Sequence, residues 1–169
     1  MVEPRGSWGL TSVLETHIVP PVIQKRTLPA RAAQASEALV ALMVAAGSLV
    51  RDLDGACQQH GLTHEQYNVM RILRGVYPAG HPRGEISARL ISRAPDVTRM
   101  LDRLIAKGLV DRGWDPKNRR LSIATITRKG LALLADVDQL VMREQARYTE
   151  GMTDEELASL RRLCQRVTP

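Results

Sequence analysis

Between residues 86 and 130 the spacing of apolar positions changes period, and the change lays out four elements in order. A short helix is predicted over 84–91. In the helix after it, Val97, Leu101, Leu104, Ile105 and Gly108 recur at i, i+4, i+7, i+8 and i+11 on one face, while Thr98, Arg99, Asp102 and Arg103 fall on the other. One face packs and the other is free to enter a groove. Past Gly108 the period drops to two, with Val110, Arg112 and Trp114 on one side of a strand and Leu121, Ile123 and Thr125 as the row on its partner. The DPKNRR between them (115–120) makes the turn. Asp115 and Pro116 start it, and Lys117, Arg119 and Arg120 put three positive charges at the tip, where no core can use them. Two helices followed by a hairpin with a basic tip is the order of a winged helix-turn-helix.

Long amphipathic helices are predicted on either side. The stretch 30–60 contains no proline and carries Leu39, Leu42, Met43, Ala46, Leu49, Val50, Leu53 and Cys57 as a stripe at heptad-like spacing. Gly61 ends it, and Thr63 with Gln66 three residues on forms a capping box for a helix running to about residue 76, with Tyr67, Met70, Ile72, Leu73 and Val76 facing inward. Residues 77–82 read as loop by composition. After the hairpin, 128–148 is a further helix, with Leu131, Leu134, Val137, Val141 and Met142 on one side. Gly151 breaks it, and a second capping box, Thr153 with Glu156, opens a last helix bearing Leu157, Leu160, Leu163 and Val167. Residues 1–30 hold four prolines and no sustained period, and are expected to form an arm that docks elsewhere. Pro95 falls near the first turn of the second helix of the motif, where a missing N–H costs nothing.

The expected class is mainly α: a winged helix-turn-helix with a small β-wing over 61–130, flanked by helical dimerisation regions at 31–60 and 131–169. The apolar stripes of the flanks exceed what one small core absorbs, and pairing two copies across a two-fold axis would bury them.

Composition sharpens this picture in three respects. With 3% aromatic residues and no Phe, the core must be aliphatic, which suits helices packed on helices. The net charge of +6 is not spread evenly: residues 83–129 carry twelve Lys and Arg against five acids, so the rest of the chain sums to −1. The whole positive excess therefore sits on the predicted winged helix, as on a polyanion-binding surface. Two cysteines, Cys57 and Cys164, are too few for a secreted disulfide framework. No uninterrupted apolar run reaches the ~18 residues of a membrane helix and no signal-peptide core opens the chain, so a cytoplasmic protein without membrane contact is expected.

The residues filling this layout resemble the MarR family of bacterial winged-helix regulators, from about residue 35 to the C-terminus. The resemblance is carried by GLTHEQYNVM (61–70), VTRMLDRL (97–104), KGLV (107–110), the wing from Asp115 to Arg120, and ITRKG (126–130). It implies an obligate homodimer whose terminal helices interlock and whose two winged helices address DNA. One position departs from the pattern. The family wing ends in Asp-x-Arg, its Asp steadying an Arg in the minor groove, whereas Asn118 stands here before Arg120. A neutral hydrogen bond from Asn118 would be roughly half as strong as a charge-assisted one.

The expected DNA-binding residues are Arg93, Pro95, Asp96, Thr98, Arg99 and Arg103 on and before the second helix, and Lys117, Arg119 and Arg120 on the wing. Arginine is the commonest reader of guanine, and Asp96 is placed to accept from a cytosine amine. The wing arginines suit a narrow minor groove. The partner is then a pseudo-palindromic duplex operator. In relatives the cleft between winged helix and dimer helices takes amphipathic or phenolic effectors, and Trp114, Tyr67 and Tyr148 are the aromatics nearest such a place or else fillers of core and strand. Cys57, His60 and His64 have a superficial metal-ligand spacing, but zinc-sensing relatives carry Glu-His where Tyr67 and Asn68 stand, so no metal site is expected. Cys57 lies on the apolar stripe and reads as a packed thiol before a redox sensor. No cofactor and no catalytic motif is found. The competing readings are a thiol- or metal-responsive regulator acting through Cys57, and a winged-helix protein-interaction module without DNA binding.

Overall fold

The computed structural model describes residues 29–91, 96–115, 118 and 120–167, which form six helices and a three-stranded antiparallel sheet. The arm expected at 1–30 lies outside them save for its last two residues, as do Arg93, Pro95, Lys117 and Arg119. In chain order the elements are α1 (Ala30–Gln58), α2 (His64–Arg74), β1 (His81–Pro82), α3 (Arg83–Arg89), α4 (Val97–Ala106), β2 (Val110–Trp114), β3 (Ser122–Ile126), α5 (Arg128–Thr149) and α6 (Asp154–Val167). Of the described residues, those from Leu39 onward form one compact unit, from which the first turns of α1 stand apart.

Local chemistry sets the boundaries. Gly61, at φ +67°, lets the chain turn back at the end of α1, where the Leu62 N–H reaches the Cys57 carbonyl and the Gly61 N–H that of Gln58. The same pair of bonds closes α4, with Gly108 at φ +68° and Leu109 bonded back to Leu104. Both expected capping boxes are present, Thr63 with Gln66 and Thr153 with Glu156. A third cap was not legible beforehand: the Thr127 hydroxyl accepts from the Gly130 N–H at 2.9 Å and donates to the Gly108 carbonyl at 2.9 Å. It joins the end of α4 to the start of α5.

The buried residues form one cluster, with Leu53 and Cys57 from α1, Tyr67, Val69, Met70 and Leu73 from α2, Ile86 from α3 and Val97, Leu101 and Leu104 from α4. Val110 and Ile126 close it from the sheet, and Leu134, Val137 and Val141 from α5. A polar clasp accompanies this packing. The buried Tyr67 hydroxyl donates to Asp138 Oδ1 at 2.8 Å, and Arg74 pairs with Oδ2 of the same carboxylate.

The fold departs from the sequence-based expectations at several points. Residues 77–82 are not all loop, because His81 and Pro82 pair with Ala124 and Ile123 to make β1 the outer strand beside a central β3. The α2 helix stops at Arg74, capped by Gly75, and Val69 is fully buried while Ile72 and Val76 are only half-buried. On β3 the buried row is Ala124 and Ile126, not Leu121, Ile123 and Thr125. Antiparallel pairing puts Val110 opposite Ile126 and Arg112 opposite Ala124, so the even-numbered positions share the face of Val110. Met142 on α5 is 57% exposed, and Gly130 is buried at that helix's start.

The flanking stripes are unfilled in a single chain. On α1 Leu39, Val40, Met43, Val44 and Val50 are exposed, and α6 exposes Leu160, Leu163 and Val167 and buries no residue. The expectation that no segment has the character of a membrane helix also needs correction. By length and composition α1 is apolar enough to cross a membrane, because isolated Ser, Gln and Glu residues interrupt its apolar run without lowering its mean hydropathy much. Its last turns, however, carry Leu53, Ala56 and Cys57 into the core beside α2 and α5.

Candidate nucleic-acid interface

The centre of the basic region is α4. Asp96 caps it: its Oδ1 accepts from the Arg99 N–H at 3.0 Å, and its Oδ2 lies 3.6 Å from the Arg99 guanidinium. The carboxylate proposed above as a base reader is thus first of all a helix cap, a role that suits Asp at this position. Val97, Leu101 and Leu104 are buried beneath, so Thr98, Arg99, Asp102 and Arg103 are turned outward and exposed. Arg99 keeps 77% of its side chain in solvent.

Two neighbours of this face come from other elements. From the start of α3, Arg83 Nη1 donates to the Thr98 hydroxyl at 3.1 Å. From β2, Arg112 Nη2 lies 2.5 Å from Asp102 Oδ1 and neutralises the one acid in the outward row. Neither arginine was among the expected site residues. Their charge was visible in the sequence, but contacts across 15 and 10 residues depend on how α3 and β2 pack against α4. Arg83, Thr98 and Arg112 line a depression of about 260 Å³ floored by Leu101 and Ala124. A second recess of about 380 Å³ lies between α2 and the end of α3, with Asn68, Arg71, Ile72 and Ile91 in its wall.

The wing turn is organised by its own side chains. Asp115 Oδ1 accepts from the Asn118 N–H at 3.1 Å, and Asn118 Oδ1 accepts from the backbone N–H of Arg120 at 3.1 Å. The Leu121 N–H bonds the Asn118 carbonyl at 2.8 Å, and the Asp115 N–H bonds the Leu121 carbonyl at 2.9 Å. A neutral hydrogen bond from Asn118 to the Arg120 side chain was one option open to the wing. The Asn118 bond goes to the main chain instead, in the two-residues-on pattern that Asn shares with Asp. Arg120 is exposed beside it.

Tyr67, Tyr148 and Trp114 are not gathered at one cleft. Tyr67 is buried between α2 and α5, with Arg71 5.6 Å over its ring, and burial followed by the Asp138 carboxylate pushes its phenol pKa upward. Tyr148 donates to Asp52 Oδ2 at 2.8 Å, an oxygen it shares with Arg147 at 2.6 Å, and Trp114 is 63% exposed on β2 rather than a filler. Cys57 is fully buried, and that burial, reinforced by Asp54 and Glu65, pushes its thiol up to about 11. Among the described residues no three His, Cys, Asp or Glu side chains are grouped to hold a metal.

The family model that matches this chain is that of the MarR family, over residues 62–122, the span from the start of α2 to the start of β3. A MarR transcription factor from Planctomyces limnophilus has the same fold, with a TM-score of 0.61 and 35% identity over 77% of this chain and 94% of its own. The chain belongs to the MarR family. The multiple antibiotic resistance protein MarR of Escherichia coli is 36% identical over 74 residues, 43% of this chain, and the match spans about half (51%) of that relative. The transcriptional repressor CouR, bound to a 23-mer DNA duplex, superposes with a TM-score of 0.67 and 30% identity over 76% of this chain and 90% of its own. Within the MarR family pattern, α3 and α4 are the helix-turn-helix and β2 and β3 the wing. The order of two helices and a hairpin expected from the sequence over this span is therefore the observed one, with the strand β1 added.

Proposed function

We propose that the chain is a cytoplasmic, homodimeric, sequence-specific DNA-binding transcriptional regulator, and that it acts as a repressor released by a small amphipathic or phenolic ligand. It is read as a regulator without catalytic activity. The observation that carries the reading is the outward face of α4. Thr98, Arg99 and Arg103 are exposed there over a fully packed inner face, in the segment that holds all of the chain's positive excess. The proposed contacts are Arg93, Pro95, Asp96, Thr98, Arg99 and Arg103 in or along the major groove, with Lys117, Arg119 and Arg120 at the minor groove. Residues 61–130 are the DNA-binding domain, and 31–60 with 131–169 the dimerisation region. That role accounts for the apolar surface of α1 and α6 without a membrane. Two-fold symmetry then calls for a pseudo-palindromic operator read in successive major grooves ~10 bp apart.

The relatives support the same reading. A mutant of E. coli MarR has been crystallised with operator DNA and CouR with a DNA duplex, and CouR of Rhodococcus jostii also with p-coumaroyl-CoA. A carboxylate-bearing amphipathic ligand would find Arg71 beside Ile72 and Ile91 in the recess between α2 and α3. Its binding would release DNA by favouring a dimer whose recognition helices are wrongly spaced, to the extent of its differential affinity for the two states.

The test is a salt titration of binding to the protein's own promoter region and to random duplex. Phosphate contacts make log K fall steeply with log salt, and a flat response would sink the reading. Arg99→Ala should cost about 1–3 kcal/mol on the specific site and relax base preference, whereas Lys117→Ala should weaken all sequences alike. Equal losses on both DNAs for both variants would contradict the division of roles.

A further inference from the structure

Arg83 stands fifteen residues before Thr98, on a different helix, yet its guanidinium donates to the Thr98 hydroxyl at 3.1 Å. A threonine hydroxyl is ordinarily ambivalent, with one proton to give and two lone pairs to receive. The bond from Arg83 removes much of that ambivalence. One lone pair is occupied, the adjacent positive charge opposes the approach of a second donor, and the remaining O–H is polarised toward an outside acceptor. The surroundings act in the same sense. Arg112 lines the same depression, and it neutralises Asp102, the acid one turn along α4. Thr98 itself is exposed at the second position of α4, the end of a recognition helix that approaches base edges.

We propose that Arg83 is a specificity-determining residue that acts through Thr98. By holding the hydroxyl as a donor it makes α4 favour an acceptor-bearing base edge, such as guanine N7 and O6, adenine N7 or thymine O4. It disfavours cytosine, whose major-groove edge presents the N4 amine donor. The inference rests on the DNA-binding reading above. It extends the reading surface to α3.

Selection from a pool of random-sequence duplexes by the full-length chain tests it, using the wild type, Arg83→Met, Arg83→Lys and Thr98→Val. The wild type should enrich a site in which one position of each half-site is depleted of cytosine. Arg83→Met should restore cytosine at that position by about three- to tenfold, the scale of one polar contact, and leave the other positions unchanged. Thr98→Val should flatten the same position, Arg83→Lys should keep the depletion, and adding Arg83→Met to Thr98→Val should change nothing more. The proposal is overturned if Arg83→Met weakens all sequences equally, as a plain phosphate contact would, if it leaves the base preferences unaltered, or if it flattens a different position from Thr98→Val. A wild type that enriches no sequence would instead fail at the DNA-binding reading, and the inference would fall with it.

Discussion

A methyl group at Gly130 would sit 2.2 Å from the Leu109 carbonyl oxygen and 2.8 Å from Ile126. No side-chain adjustment relieves a clash with the backbone, so the first turn of α5 can lie against the end of α4 only with glycine there. Gly130→Ala should therefore lower the free energy of unfolding by about 3 kcal/mol or more, read from urea denaturation. Gly84→Ala, where a Cβ would meet open space, should be neutral or slightly stabilising. Similar losses in the two variants would remove the steric explanation. At Cys57 the thiol is pushed up from 9.0 to about 11, chiefly by burial. Since the folded value lies above the unfolded one, the stability this neutral thiol contributes is complete below pH 9 and is lost as pH rises through about 11. The urea midpoint should fall over that window, and more gently in Cys57→Ala, with Tyr67 adding a loss of the same sign at higher pH. The native protein should also resist alkylation at Cys57 near neutral pH. Rapid modification there would revive the thiol-sensing alternative, which burial now opposes.

At the scale of elements, the winged helix is tied to the flanking helices by side chains that cap as well as pack. Lys107, at the end of α4, donates to the Gly61 carbonyl at the end of α1, and Lys129 donates to the Lys107 carbonyl at 2.8 Å. Across the core, Asp138 on α5 receives both the Tyr67 hydroxyl and Arg74 from α2. Asp138→Ala would leave a buried phenol without its acceptor, and about 1–3 kcal/mol of stability should go with it. In a Tyr67→Phe background the same substitution should cost distinctly less. A cycle showing the two losses to be additive would mean that the clasp is not a coupled unit.

At the scale of the whole molecule, the exposed apolar faces of α1 and α6 are the feature a single chain leaves unexplained. Met43 is 72% exposed and Leu163 57%, each within a row of other exposed apolar residues, more than a monomer ordinarily presents. If they pair two copies, Met43→Glu and Leu163→Glu should shift the protein to a monomer in sedimentation and abolish binding to a two-half-site duplex. Weak non-specific binding should remain, because the basic face is untouched. A dimer of undiminished strength in both variants would place the contact elsewhere.

Periodicity and end-signals were enough to read most of these elements. The α1, α4 and α6 helices, both capping boxes, the glycine ends at 61 and 108 and the crowding of positive charge are properties of neighbours three or four residues apart, which a sequence displays directly. The outward row of α4 was legible for the same reason, since Val97, Leu101 and Leu104 leave only one face free. What required the tertiary structure were choices between locally equivalent options. In LSIATI (121–126) both parities carry apolar residues, and only pairing with Val110 selects Ala124 and Ile126 as the buried pair. Asn118 could have bonded a side chain or a backbone, and the turn geometry gave it the backbone. A two-residue strand such as β1 has no period to detect. The bonds from Arg83 to Thr98 and from Arg112 to Asp102 follow from how separate elements dock, and no spacing along the chain encodes that. The sequence by itself determined which faces exist and where charge gathers. The tertiary structure decided which of those charges stand beside one another, because hydrogen bonds and ion pairs depend on distance in space.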